Sequence, residues 1–294
     1  MADFSSMADI RGIDIDKLAK GFADENPSTL RALCAVSPTS AREVRWFQKT
    51  AGFLDSIDTT DITASQIPTS EKSLPVIAGP SWTRNTSYVK FFKVESELIS
   101  EADIKDTDID LLSSTIRDLT MAVQRQVDAH LYTVLTVADV GTGENTLSIT
   151  DEWDDTANCV PISDLAKCRE YLKNFNYEPN GAIFLCRPDV ERFLLNYLIA
   201  VKGSSIPQFA SAKVGDAVLL EIMGFRVVSS TLVTSDKACV FVPQRAVTYK
   251  EFRAITAASV EEKLIGTKIR VAAEGVGLLT DPKAVVFISN IGPT

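Results

Sequence analysis

Residues 107–136 read TDIDLLSSTIRDLTMAVQRQVDAHLYTVLT, the one long uninterrupted helical pattern in the chain. Leu112, Ile116, Leu119, Val123, Val127, Leu131 and Val134 follow one another at steps of three and four, which lays them along a single stripe. Asp108 and Asp110 place negative charge where a helix N-terminus favours it, and Gly141 lies shortly beyond the last periodic position. At 1.5 Å per residue the helix is roughly 40 Å long, the width of a small domain. Such a helix is a spine, and the strand-forming sequences on either side of it must pack against it.

The 294 residues are 45% hydrophobic and 23% charged, enough for one large or two modest domains. The N-terminus mixes acids and bases without the apolar core of a secretory signal, and the longest apolar runs, such as AVVFI at 284–288, are too short to cross a bilayer. A soluble, intracellular protein with no membrane partner is expected. A formal net charge of -9 excludes general attraction to phosphate backbones. Cys34, Cys159, Cys168, Cys186 and Cys239 form no CxxC pair and have one histidine for company, so metal sites and disulfide frameworks are not expected.

Around the spine the chain changes character by segments. Residues 1–65 read as an arm with two short helices. One starts at Asn26-Pro27, runs through STLRALCAV and is closed by Pro38; the other is signalled by a capping box, Ser40 with Glu43, ahead of Val44, Trp46 and Phe47. Residues 66–105 read as an extended hairpin and its lead-in to the spine, with β runs at 74–78 and 88–94 around a polar tip at 79–87. The second run is apolar on both faces and requires cover on both. Residues 138–247 alternate helix and strand. A helix is capped by Ser163, a buried strand covers 182–186, a helix opens at Pro188, a loop spans 202–217, and strand-like runs cover 219–230, around Gly224, and 238–242. The tail is β-rich, with runs near Phe252 and Ile255, at 264–271 and at 284–289.

Catalytic chemistry is hard to find. His130, the sole histidine, lies near the apolar stripe with no nucleophile context, which suits packing or a charge partner. Asp151, Glu152, Asp154 and Asp155 lack EF-hand spacing and read as a solvated loop. Gly141 and Gly143 lack the third glycine and the βαβ unit of a dinucleotide site, and no Walker, HExxH or GxSxG motif occurs. The expectation is a non-enzyme with no cofactor and no metal.

The order of parts, from helical arm through projecting hairpin, spine helix and inserted α/β domain to long β-strands, resembles the major capsid proteins of tailed bacteriophages, an α+β fold of the Hong Kong 97 type. KVESELISEADI at 93–104 looks like the strand and turn leading into that family's spine. MGFRVVSS at 223–230 looks like its glycine-containing strand after the capsomer-facing loop, and YKEFRAITAASVEEKLIGTKIRVAAEGVGLLTDPKAVVFIS at 249–289 resembles its closing strands. The resemblance implies an N-terminal arm at 1–65, an extended hairpin at 66–105, a peripheral domain from 106–137 with 248–294, and an axial domain at 138–247. It implies hexamers and pentamers of one chain in an icosahedral virion shell, enclosing double-stranded DNA without sequence-specific binding. Scaffolding, portal or accessory capsid proteins are the further partners it implies, with assembly in the host cytoplasm. Some relatives crosslink through a Lys–Asn isopeptide bond; Lys90 and Lys93 lie in the arm, but no motif fixes an acceptor.

Interfaces of obligate assemblies resemble a core cut in half. On that ground Trp46, Phe47, Trp82, Arg84, Tyr88, Lys90, Phe91 and Phe92 are the expected intersubunit residues. Two rival readings share parts of the pattern: an encapsulin compartment of the same fold, and a metabolic α/β enzyme, which has no catalytic constellation to support it.

Overall fold

The computed structural model describes residues 29–51, 81–100, 111–138, 146–155, 158–198, 221–262 and 265–292. It opens with a short helix α1 (Thr29–Leu33) and strands β1 (Ala35–Pro38), β2 (Glu43–Ala51), β3 (Ser81–Tyr88), β4 (Lys90–Glu95) and β5 (Ile99–Ser100). The long helix α2 (Leu111–Thr136) is followed by β6 (Thr146–Ser148), α3 (Pro161–Asn174), β7 (Ile183–Cys186) and α4 (Pro188–Asn196). Then come β8 (Glu221–Ile222), β9 (Phe225–Ser229), β10 (Lys237–Phe241), β11 (Val247–Glu262), β12 (Gly266–Leu279) and β13 (Val285–Ser289).

The spine expected from sequence is α2. Leu119, Val123, Val127, Leu131 and Leu135 are buried, all at steps of four, while Val134 is only half-buried and Ile116 is exposed. The constant step of four slants the stripe slightly around the helix, so the last core position is Leu135 rather than Val134. Asp108, Asp110 and Gly141 lie outside the described residues.

Backbone contacts divide the chain into two compact units, one containing Phe91–Val127 and Arg253–Glu274, the other Thr29–Lys90, Asp128–Phe252 and Gly275–Thr294. The second holds a six-stranded sheet in the order β6-β13-β10-β7-β9-β8. Ile183–Cys186 in β7 is a continuous apolar run with all four residues buried, as a strand with both faces covered must be. Leu165, Cys168 and Leu172 of α3 and Val190 and Leu194 of α4 join its core. Pro at the first turn starts both helices; α3 therefore begins at Pro161, two residues before the Ser163 cap expected from sequence, which makes no side-chain cap.

Two further segments depart from the sequence reading. In the described part of the run expected at 219–230, residues 221–230 are not one strand: Met223 and Gly224 both adopt positive φ, 52° and 83°, and make a two-residue turn between β8 and β9. A Cβ on Gly224 would also sit 2.8 Å from Asn180 Oδ1. The STLRALCAV helix ends at Leu33, and Ala35–Pro38 pairs in parallel with Thr248–Glu251. The run at 285–289, whose return to the axial sheet the sequence leaves open, lies between β6 and β10 in the six-stranded sheet.

The larger correction concerns the arm. Glu43–Ala51 is a strand, not a helix, and it pairs antiparallel with Ser81–Tyr88, which includes most of the supposed polar tip. Along β2, Val44, Trp46 and Gln48 are half-buried while Arg45 and Phe47 are exposed, the period of two that a pleated strand requires. Eight cross-strand pairings outweigh a capping signal worth a kcal/mol or so. The run at 74–78 and the loop at 202–217 fall outside the described residues. A second sheet, in the order β1-β11-β12-β4 with β5 beside β12, completes the described strands.

Candidate intersubunit surface

The β2–β3 ribbon has two unlike faces, because directly opposed residues of an antiparallel pair share a side. On one side Val44 and Trp46 pack against Val89, Val276, Leu278 and Phe252, and Trp46 Nε1 donates to the Leu279 carbonyl at 3.0 Å. That side belongs to the chain's own fold. On the other side lie Phe47 opposite Arg84, Arg45 opposite Thr86 and Glu43 opposite Tyr88, with Trp82 two residues from Arg84 on the same side. Phe47, Trp82 and Tyr88 are 62%, 58% and 66% exposed, high values for aromatic side chains. Glu43 and Arg45 form an ion pair on this face.

The other expected residues are placed differently. Phe92 is 8% exposed and Val89 equally buried, so neither offers surface to a neighbour. Phe91 is half-exposed with Lys93 Nζ 5.0 Å from its ring centroid. Phe91 and Lys93 belong to a groove of about 620 Å³ lined also by Glu95, Arg253, Arg270 and Glu274. In it the Arg270 guanidinium donates twice to Glu95 Oε2, at 3.0 and 2.7 Å, and Arg253 stands 3.5 Å from the buried Glu274. Lys90, at the root of the ribbon, is exposed, with Nζ 3.5 Å from His130 Nδ1.

His130 is a junction between the spine, β12 and Lys90. Its Nε2 accepts from the Gly277 amide at 3.1 Å, which leaves the proton of the neutral ring on Nδ1, beside the Lys90 ammonium. Burial, and then the Lys90 charge, push its pKa down to about 4, so the ring is neutral near pH 7. Two polar anchors escaped the sequence reading. Asp128, 3% exposed, accepts from the amides of Leu30 at 3.2 Å and Arg31 at 3.0 Å, tying the start of α1 to the spine. Trp153, in the middle of the acidic loop, is 1% exposed and donates to Asp164 at 3.2 Å. An Asp on the inward side of a helix, and a Trp among acids, were the available signals.

Among the described residues no group of three His, Cys, Asp or Glu side chains is placed to hold a metal, and no helix is long and apolar enough to cross a membrane. All five cysteines are buried thiols, and burial pushes Cys34 up to about 12 and Cys168, Cys186 and Cys239 further still. A thiol so protonated is a poor nucleophile and metal ligand.

Ribbon, spine, six-stranded sheet and long closing strands define an α+β shell-forming fold of the Hong Kong 97 type. It superimposes on the capsid of cyanophage P-SCSP1u with a TM-score of 0.69 at 12% identity, covering 95% of this chain and 94% of that one. The mature capsid of bacteriophage PhiM1 gives 0.67 at 10% identity, covering 94% and 90%. The capsid of a native GTA particle gives 0.67 at 13%, covering 95% of each chain. No curated protein matches the sequence significantly. The sequence profile of the family described as phage capsid protein matches residues 95–288, and the chain belongs to that family. It is a major capsid protein that builds a virion shell. The encapsulin reading drew on the same fold, and the family match is to phage capsid proteins.

Proposed function

We propose that this subunit acts without catalysis, and that the outer face of its β2–β3 ribbon seats on a neighbouring copy to make the hexamers and pentamers of the shell. One observation carries the proposal: Phe47, Trp82 and Tyr88 are exposed together on one face, while the face behind them is fixed to the chain's own core. A soluble subunit gains nothing from three exposed aromatics in a row; a subunit whose surface is later covered gains most of its binding energy from such residues. Phe47, Trp82, Arg84 and Tyr88 are the proposed contact residues, with Lys90 and Phe91 at the ribbon's root. The unit carrying the six-stranded sheet is the proposed axial domain, meeting its copies around the capsomer axis, and the unit containing Phe91–Val127 is the proposed peripheral domain. The acidic chain encloses DNA without reading its sequence, since an interior that bound DNA tightly would hinder packaging and release. Scaffolding, portal and accessory proteins complete the assembly in the host cytoplasm.

The triple substitution Phe47→Ser, Trp82→Ser, Tyr88→Ser tests the contact. It leaves Trp46 and Val89 in place, so the variant should keep wild-type circular dichroism and sediment as subunits or capsomers instead of shells. Normal shells, or an unfolded product, would overturn the assignment.

A further inference from the structure

β11 is sixteen residues long, and its two edges are treated differently. One is paired with β12; on the other, β1 covers Thr248–Glu251 alone and stops at Pro38, after which the Thr39 amide makes a last bond to the Glu251 carbonyl at 2.8 Å. Among the described residues no strand pairs with the outer edge beyond that point. The remaining stretch, RAITAASVEE at 253–262, spans roughly 33 Å, and of these residues only Ile255 and Glu262 are even half-buried. Edge strands are usually blunted by Pro, by a bulge or by a central charge. Here the charges stand at the two ends, and the seven residues between them are small or β-forming, with neither Pro nor Gly.

We infer that this edge is completed by the same edge of a second copy, antiparallel across a two-fold axis. The inference rests on the chain being a self-assembling capsid protein and adds a specific contact to it. A two-fold axis normal to a sheet must pass where a residue faces its own copy, which limits the registers to those centred on one residue. Centring on Ala257 puts Arg253 opposite Glu261 of the partner subunit, Ala254 opposite Val260, Ile255 opposite Ser259 and Thr256 opposite Ala258. The same pairs recur on the other side of the axis, so each interface holds two Arg–Glu pairs. Moving the centre to Ala258 brings Arg253 against Lys263 and Ile255 against Glu261; moving it to Thr256 leaves Arg253 against Ser259. Only the Ala257 register matches unlike charges at both ends. Arg253 has donors to spare: its guanidinium is 59% exposed and meets Glu274 at 3.5 Å through one nitrogen. A strand from an unrelated protein has no reason to carry the mirror of this charge order.

Cysteine substitution reads the register directly in assembled, oxidised particles of the full chain, where the native cysteines at Cys34, Cys159, Cys168, Cys186 and Cys239 are buried. Ala257→Cys should give disulfide-linked dimers in high yield, because only that residue faces its own copy. Ala254→Cys and Ala258→Cys should give none above wild type, since their copies lie too far along the strand. Adding Arg253→Glu to Ala257→Cys should cut the dimer yield by about tenfold through two like-charge pairs, and further adding Glu261→Arg should restore it. Intact shells in which Ala257→Cys does not crosslink, or in which Ala258→Cys crosslinks as well, overturn the edge pairing and leave the capsid assignment standing. A chain that forms neither capsomers nor shells with wild-type β11 overturns the capsid assignment itself.

Discussion

β7 and the outer half of β11 are both strands of one chain, and they are built to opposite specifications. Ile183–Cys186 is apolar throughout, is flanked by β10 and β9, and has all four residues buried. Residues 253–262 carry small and β-forming types between charged ends, are mostly exposed, and among the described residues pair only with β12. The first strand is completed by its own chain, so its sequence specifies burial on both faces. The second has no strand beside its outer edge among the described residues, which is the condition that the proposed pairing with a second copy requires. The β2–β3 ribbon shows both conditions back to back, with Trp46 turned inward and its neighbour Phe47 turned out. In a shell protein, strand propensity without apolar content is therefore a sign of assembly surface rather than of weak structure.

The largest effect should come from the self-completed strand. Phe184 in the middle of β7 is fully buried, with the ring of Trp153 at 6.2 Å. Phe184→Ala should cost about 3–5 kcal/mol in denaturant unfolding of the free subunit, enough to threaten soluble expression. A loss below about 1 kcal/mol would mean that β7 is not the centre of the core. A middling effect belongs to Asp128→Ala, which strips the acceptor from two amides of α1 while the spine keeps its apolar stripe. A loss of about 2 kcal/mol is expected, with Asp128→Asn recovering part of it because one carbonyl oxygen remains. Equal unfolding midpoints for Asp128→Ala and wild type would show that α1 is held by other contacts.

How much of this was legible follows the same division. The spine, β7, α4 and the run at 285–289 could be read because periodicity and local punctuation specify them; in each the apolar pattern and the fold agree. The ribbon could not, because Glu43 finds its partner at Tyr88 and nothing in the intervening sequence announces the pairing. A four-residue capping signal from Ser40 to Glu43 was the stronger local cue, and it pointed to a helix. The candidate surface suffered a finer version of the same problem. Sequence places aromatics in the arm, but one residue of pleat decides whether Trp46 or Phe47 faces out, and likewise Phe91 or Phe92. The placement of the run at 285–289 between β6 and β10 also depends on non-local pairing, which periodicity alone does not encode.

The smallest effect expected sits at the root of the ribbon, where the comparison can be sharpened by pH. His130 is the sole histidine, so between about pH 7 and pH 5 it is the main side chain able to change charge, most carboxylates titrating lower. In the folded chain its pKa is pushed down to about 4 by burial and by Lys90; unfolded, it returns to the usual 6.5. The unfolded state therefore takes up a proton as pH falls through 6.5 while the folded state does not until about 4. Stability is complete above 6.5, declines between the two values, and levels off below the lower one. Because the ring is only half-buried, solvent screening holds the loss to on the order of 1 kcal/mol. His130→Gln keeps an acceptor for the Gly277 amide and removes the titration. Urea midpoints of the free subunit at pH 7.5, 6 and 5 should fall more steeply for wild type than for His130→Gln, the difference isolating the histidine from the carboxylates. Parallel slopes would mean that the ring takes up its proton in the folded state as readily as in the unfolded one, and that the bond from Gly277 does not hold β12 to the spine.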